Sequence, residues 1–133
     1  MKVSPYFNFN GNCSEAVELY EKAFSVKVAQ VFRYKDAPAS EGYQPAPGTE
    51  NFIMHAEMKF GDDSIMFSDS EQATSFTNGI SIHVALDNKE ALEFAFNLLK
   101  DGGKVIMELG KTFWSECFGM LEDKFGVCWM LSL

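Results

Sequence analysis

No cluster of lysine or arginine occurs anywhere in this chain; its basic residues stand singly. Eleven of them face nineteen Asp and Glu, for a net charge of −8. Nucleic acid and anionic membranes are recognised by concentrated positive charge, so neither is an expected partner, and the acidity reads as solubility. Cysteine is scarce too. Cys13, Cys117 and Cys128 are odd in number and form no C-x-x-C pair, which excludes a disulfide framework and a zinc knuckle and fits reduced thiols in the cytosol. The opening Met1-Lys2-Val3-Ser4 is no signal segment, and no apolar run approaches the ~18 residues of a membrane span. A soluble, cytoplasmic protein is the expectation. The G-x-S-x-G elbow, the P-loop and G-x-G-x-x-G are all missing, so neither a hydrolase triad nor a phosphate cradle is signalled.

What the chain does contain is a phrase stated twice. Asn12-Cys13-Ser14-Glu15-Ala16-Val17-Glu18-Leu19 recurs as Asp87-Asn88-Lys89-Glu90-Ala91-Leu92-Glu93-Phe94. Each copy places an Asx residue three positions before Glu, the pattern of an N-cap with its capping box. Short β-like runs precede both, Tyr6-Phe7-Asn8-Phe9 and Ile80-Ser81-Ile82-His83-Val84. At 133 residues the chain has the size of one domain and needs no metal or disulfide to fold. Thirteen Phe, four Tyr and two Trp are ample to fill a core and to line a pocket for a small organic molecule.

Periodicity predicts strands over 3–9 and 26–34, with a helix from the Asn12 cap to about Phe24 between them, its apolar stripe being Ala16, Leu19, Tyr20 and Ala23. Residues 35–50 hold Pro38, Pro45, Pro47, Gly42 and Gly48 and read as a surface loop, whether lid, dimer arm or plain connection. Strands over 52–60 and 64–68 follow, joined by the Gly61-Asp62-Asp63 turn. The second half repeats the order. A strand over 80–86 leads to an Asp87-capped helix carrying Ala91, Phe94, Ala95, Leu98 and Leu99 inward and closed by Asp101-Gly102-Gly103. Strands over 104–108, 115–121 and 127–131 complete it, the last two joined by Asp123-Lys124-Phe125-Gly126. The reading is one domain of two βαβββ modules, about 1–69 and 80–133, with a linker over 70–79. Neither module hides a sheet face alone, so the two should pair.

This order and several short motifs resemble the vicinal-oxygen-chelate superfamily (glyoxalase I, bleomycin-resistance proteins, extradiol dioxygenases), and within it the PhnB-like branch. The residues carrying the likeness are Pro5 to Asn12, Glu15-Ala16, Met54-His55-Ala56 and Ile65 to Asp69. In the second half they are Asp101 to Val105, Thr112-Phe113-Trp114, Phe118-Gly119 and Asp123 to Met130. The resemblance implies an α+β fold in which two βαβββ modules form an open, cup-shaped eight-stranded half-barrel, commonly in a homodimer. It also implies a metal held by His or Glu near the strand ends. Counting seven places back from the Asx caps falls on Pro5 and Ile80, and the closing carboxylate position falls on Met130, with Met66 or Phe67 at the fourth. None is a ligand for a hard or borderline divalent ion, so neither metal nor cofactor is expected. PhnB-like proteins also carry a demethylubiquinone methyltransferase label. Methyl transfer needs a donor site, usually a glycine-rich strand-to-helix loop, and the glycines here are scattered in turns; it is not expected.

The candidate site residues are Tyr6, Asn8, His55, Trp114, Phe118 and Trp129 for ligand binding. His55 is the candidate general base, since imidazole titrates near neutrality, and Asp69 is its candidate orienter. Strand parity puts His55 and Glu57 opposite Met54, Ala56 and Met58, and His83 opposite Ile82, Val84 and Leu86. Each also has a plainer reading. Trp114 and Trp129 suit a core or a dimer interface, Asp69 and Asp123 suit turns, and a histidine on a polar strand face is commonly just hydrogen-bonded or solvated. Three functions follow. The first is metal-independent binding of a small organic molecule in an aromatic cup. The second is a metal-dependent lyase, isomerase or dioxygenase built on His55, His83 and Asp69. The third is an interaction module with a filled cup.

Overall fold

Alternation decides the first strand. In the computed structural model, β1 (Tyr6–Phe9) buries Phe7 and Phe9 and leaves Tyr6 and Asn8 exposed, because successive side chains leave a strand on opposite faces. The structure describes residues 1–38, 42 and 44–133. The loop expected over 35–50 therefore falls partly outside the described residues, at Ala39, Ser40, Glu41 and Tyr43. The chain divides into two units, one of Met1–Glu21 with Ser25–Thr74, the other of Lys22–Phe24 with Ser75–Leu133.

The first unit continues through α1 (Cys13–Phe24), whose last three residues group with the second unit, then β2 (Val28–Arg33), a 3-10 turn at Tyr34–Asp36, β3 (Ile53–Phe60) and β4 (Asp63–Asp69). Its sheet runs β1-β4-β3-β2, with β1 parallel to β4 and the other pairs antiparallel. The second unit repeats this plan with β5 (Ile82–Ala85), α2 (Lys89–Lys100), β6 (Lys104–Gly110), β7 (Phe118–Glu122) and β8 (Cys128–Ser132). Its sheet runs β5-β8-β7-β6, with β5 parallel to β8. Two four-stranded mixed sheets and two helices make the fold α+β in the βαβββ pattern, without a closed barrel among the described residues.

Each helix lies on one face of its sheet. Tyr20 of α1 is fully buried, edge-on to Phe7 at 6.4 Å and tilted against Phe67 at 5.9 Å, while Ala16 and Ala23 let the helix approach closely. Burying one such aromatic stabilises by about 1.5–3 kcal/mol. In α2 the buried stripe is Leu92, Ala95, Phe96 and Leu99, and Phe94 is half exposed. Ala95 and Leu99 face inward as expected, but Leu92 and Phe96 take the places expected for Ala91, Phe94 and Leu98, and the cap is Asn88 rather than Asp87. The Asn88 side chain accepts from the Ala91 amide at 2.8 Å. Where α2 meets β7, a Cβ on Gly119 would stand 2.8 Å from the Phe96 ring and equally close to Leu109. Strand β7 also begins later than expected. Ser115 instead closes a turn with Thr112, their main chains bonding at 3.0 Å and the Thr112 hydroxyl accepting from the Ser115 amide at 3.1 Å.

Candidate functional site

The face of the first sheet turned away from α1 is built by register. Tyr6 pairs with Met66 and Met66 with Glu57; Asn8 pairs with Ser68, and Phe32 with His55. Tyr6, Asn8 and His55, expected together, do share this face. The Tyr6 hydroxyl lies 3.3 Å from His55 Nδ1, with ring centroids 5.9 Å apart at 42°. Beside them the Ser68 hydroxyl donates to Asn8 Oδ1 at 3.1 Å. Phenol and imidazole joined in this way share a proton whose position depends on the ring tautomer. The pair can therefore offer a ligand oxygen either a donor or an acceptor. Tyr6 is 44 % exposed, so a ligand can reach it.

Asp69 lies elsewhere. It pairs with Phe9 on the buried face, and its side chain is 2 % exposed. Oδ1 accepts from the Gly11 and Cys13 amides at 2.8 and 3.0 Å, and Oδ2 accepts from the Ile53 amide at 2.9 Å. The carboxylate thus closes the N-terminus of α1, where the helix dipole favours negative charge. Both oxygens are taken up on the face opposite His55, and the group beside the imidazole is the Tyr6 phenol. Burial, with the Asp69 charge adding to it, pushes the Cys13 thiol far above its ordinary range, so it stays protonated.

The late aromatics divide between two faces. Phe118 pairs with Ser132 on the face of the second sheet turned away from α2. Trp114 stacks edge-on to it at 5.5 Å and to Phe113 at 4.7 Å, and is 56 % exposed. Trp129 points the other way. Its indole N–H donates to Asp123 Oδ2 at 2.9 Å and its ring lies 5.2 Å from Phe24, almost wholly buried. The other Asp123 oxygen accepts from the Phe125 and Val127 amides, holding the β7–β8 turn. His83 Nε2 lies 2.9 Å from the Ser132 hydroxyl. Among the described residues no group of three or more His, Cys, Asp or Glu could hold a metal. Ser68, the partner of Asn8, was not foreseen from sequence: only the cross-strand register brings the two together.

Residues 1–132 match the family described as 3-demethylubiquinone-9 3-methyltransferase, and the chain belongs to that family. It is 36% identical to protein PA1353 from Pseudomonas aeruginosa, over 99% of this chain and 96% of that one, with a TM-score of 0.86. A Bacillus cereus structure described as a putative 3-demethylubiquinone-9 3-methyltransferase, PhnB protein, is 29% identical over 100% of this chain and 99% of that one, with a TM-score of 0.82. A variant of glyoxalase I from Zea mays shares the fold at 16% identity, over 96% of this chain and 42% of that one, with a TM-score of 0.61. The PhnB-like family that the motifs resembled is the one these matches show, and the fold is the glyoxalase type.

Proposed function

We propose that this protein binds a small, partly apolar organic molecule without a metal, and that an oxygen of the ligand is held by the Tyr6–His55 pair. The observation carrying this reading is the 3.3 Å contact between the Tyr6 hydroxyl and His55 Nδ1 on an open sheet face. Asn8 and Ser68 add polar groups beside it, and Phe32, 41 % exposed, adds an apolar wall. Sparse polar groups on an apolar surface are how small-molecule sites fix orientation. If the ligand is turned over, His55 acts as base with Tyr6 as its neighbour. Trp114 and Phe118 form a second aromatic ledge, on the other unit.

Methyl transfer gains no support from the chain itself. The connection from β1 to α1 contains one glycine, Gly11, packed against Phe52, and the connection from β5 to α2 contains none. A metal-dependent reaction on His55, His83 and Asp69 is likewise unsupported, since both Asp69 oxygens accept backbone amides. The test is a ligand-observed NMR screen of small carbonyl, phenol and carboxylate compounds. Binders should perturb the His55 ring signals, and Tyr6→Phe and His55→Ala should each weaken binding by about tenfold or more, as expected for losing a ligand hydrogen bond. Binding unchanged in both variants would sink this assignment. The protein is also proposed to be a homodimer, as glyoxalase-type folds often are. Sedimentation should then give twice the 14.9 kDa chain mass.

A further inference from the structure

The face of the second sheet turned away from α2 carries a different chemistry. Met130 on β8 pairs with His83 on β5 to one side and with Met120 on β7 to the other. Side chains paired directly across strands share a face. His83, Met130 and Met120 therefore form one row across three adjacent strands, spanning about 10 Å at the usual strand spacing. Met120 and Met130 are half-buried and His83 is exposed, so the row borders solvent at the β5 edge. The His83 ring is held through Nε2 by the Ser132 hydroxyl at 2.9 Å. In the tautomer whose Nε2–H donates to the serine hydroxyl, Nδ1 is the ring nitrogen left with its lone pair for another partner.

We infer that His83, Met130 and Met120 form a site for a soft monovalent cation, of which Cu(I) is the physiological example. Two thioethers and one imidazole are ligands that Cu(I) accepts and that Mg²⁺, Ca²⁺ and Mn²⁺ do not. Met130 sits in the middle of the row. Met120 and Met130 each have three rotatable bonds, which let a thioether adapt to irregular gaps. Cys128 precedes Met130 by two residues on the same face. Its side chain is buried. The row belongs to the second unit, whereas Tyr6 and His55 belong to the first.

The test uses Ag(I) as a redox-inert probe and protein carrying ¹³C-methyl methionine. Of the seven methionine methyl signals, those of Met120 and Met130 should move and saturate at one equivalent. Anaerobic Cu(I) competition against a chromophoric chelator should then give one ion per chain. Met130→Leu, a swap of similar volume that a sheet tolerates, should weaken that binding by about a hundredfold, and His83→Gln by about tenfold, in line with loss of one ligand. Met58→Leu, which alters a buried methionine of the first unit, should leave it unchanged. Met120 and Met130 signals that stay fixed at one equivalent would overturn the inference. So would Cu(I) affinity that is indifferent to both Met130→Leu and His83→Gln.

Discussion

Asp69 shows how much one side chain can be asked to hold. Three backbone amides from three places in the chain, at Gly11, Cys13 and Ile53, all terminate on its carboxylate. Asp69→Ala leaves those buried donors without acceptors, each worth about 1–3 kcal/mol. A loss of roughly 3–5 kcal/mol in urea unfolding is expected; a loss below about 1 kcal/mol would show that water replaces the carboxylate. Cys13, beside it, gives a prediction with a sign. Its folded thiol is raised, so the native state keeps the proton while the unfolded chain loses it above about pH 8.5. The associated stability is intact below that pH and falls as pH rises, by up to about 1.4 kcal/mol per unit. Comparing urea midpoints at pH 7 and pH 10 for wild type and Cys13→Ala should show the shallower decline in the variant. At pH 8, alkylation of Cys13 and Cys128 in the native protein should be at least about tenfold slower than in urea.

At the level of elements, the two helices begin by different means although their sequences rhyme. The first amide of α1 is met by Asp69 from a strand, whereas α2 is capped by its own Asn88. Asn88→Ala should therefore cost about 1 kcal/mol and Asp87→Ala less than about 0.5 kcal/mol. Equal losses in thermal unfolding would return the cap to Asp87. The turn after α2 is tighter than its neighbours. A Cβ on Gly103 would collide with the carbonyl oxygen of Glu122, whereas at Gly61 nothing lies within 4 Å. Gly103→Ala should cost roughly 2 kcal/mol or more because backbone must move. Gly61→Ala, at φ +63°, should cost only the ~1 kcal/mol of a left-handed alanine.

For the whole molecule, charge makes the clearest statement. With a net charge of −8 and a pI near 4.7, solubility should pass through a minimum close to pH 4.7. At about 0.15 M salt, neither heparin nor duplex DNA should retain the protein; retention would reveal a basic surface that the even spread of lysines does not suggest. No helix among the described residues is long and apolar enough to cross a membrane.

Local pattern was enough for the βαβββ order, because capping, alternation and glycine turns act within a few residues and are written in the chain itself. The PhnB-like family followed from the same short motifs. Sequence parity also sufficed to set His55 and Glu57 opposite the buried Ala56 and Met58. Partnership was another matter. That Asp69 closes a helix instead of orienting His55, that Trp129 is turned to Asp123 and Phe24, and that Met130 lies between His83 and Met120 all depend on which strands lie side by side and in what register. These pairings range from Met120 with Met130 in one hairpin to Gly11 with Asp69 from distant strands, and only the folded chain brings them together.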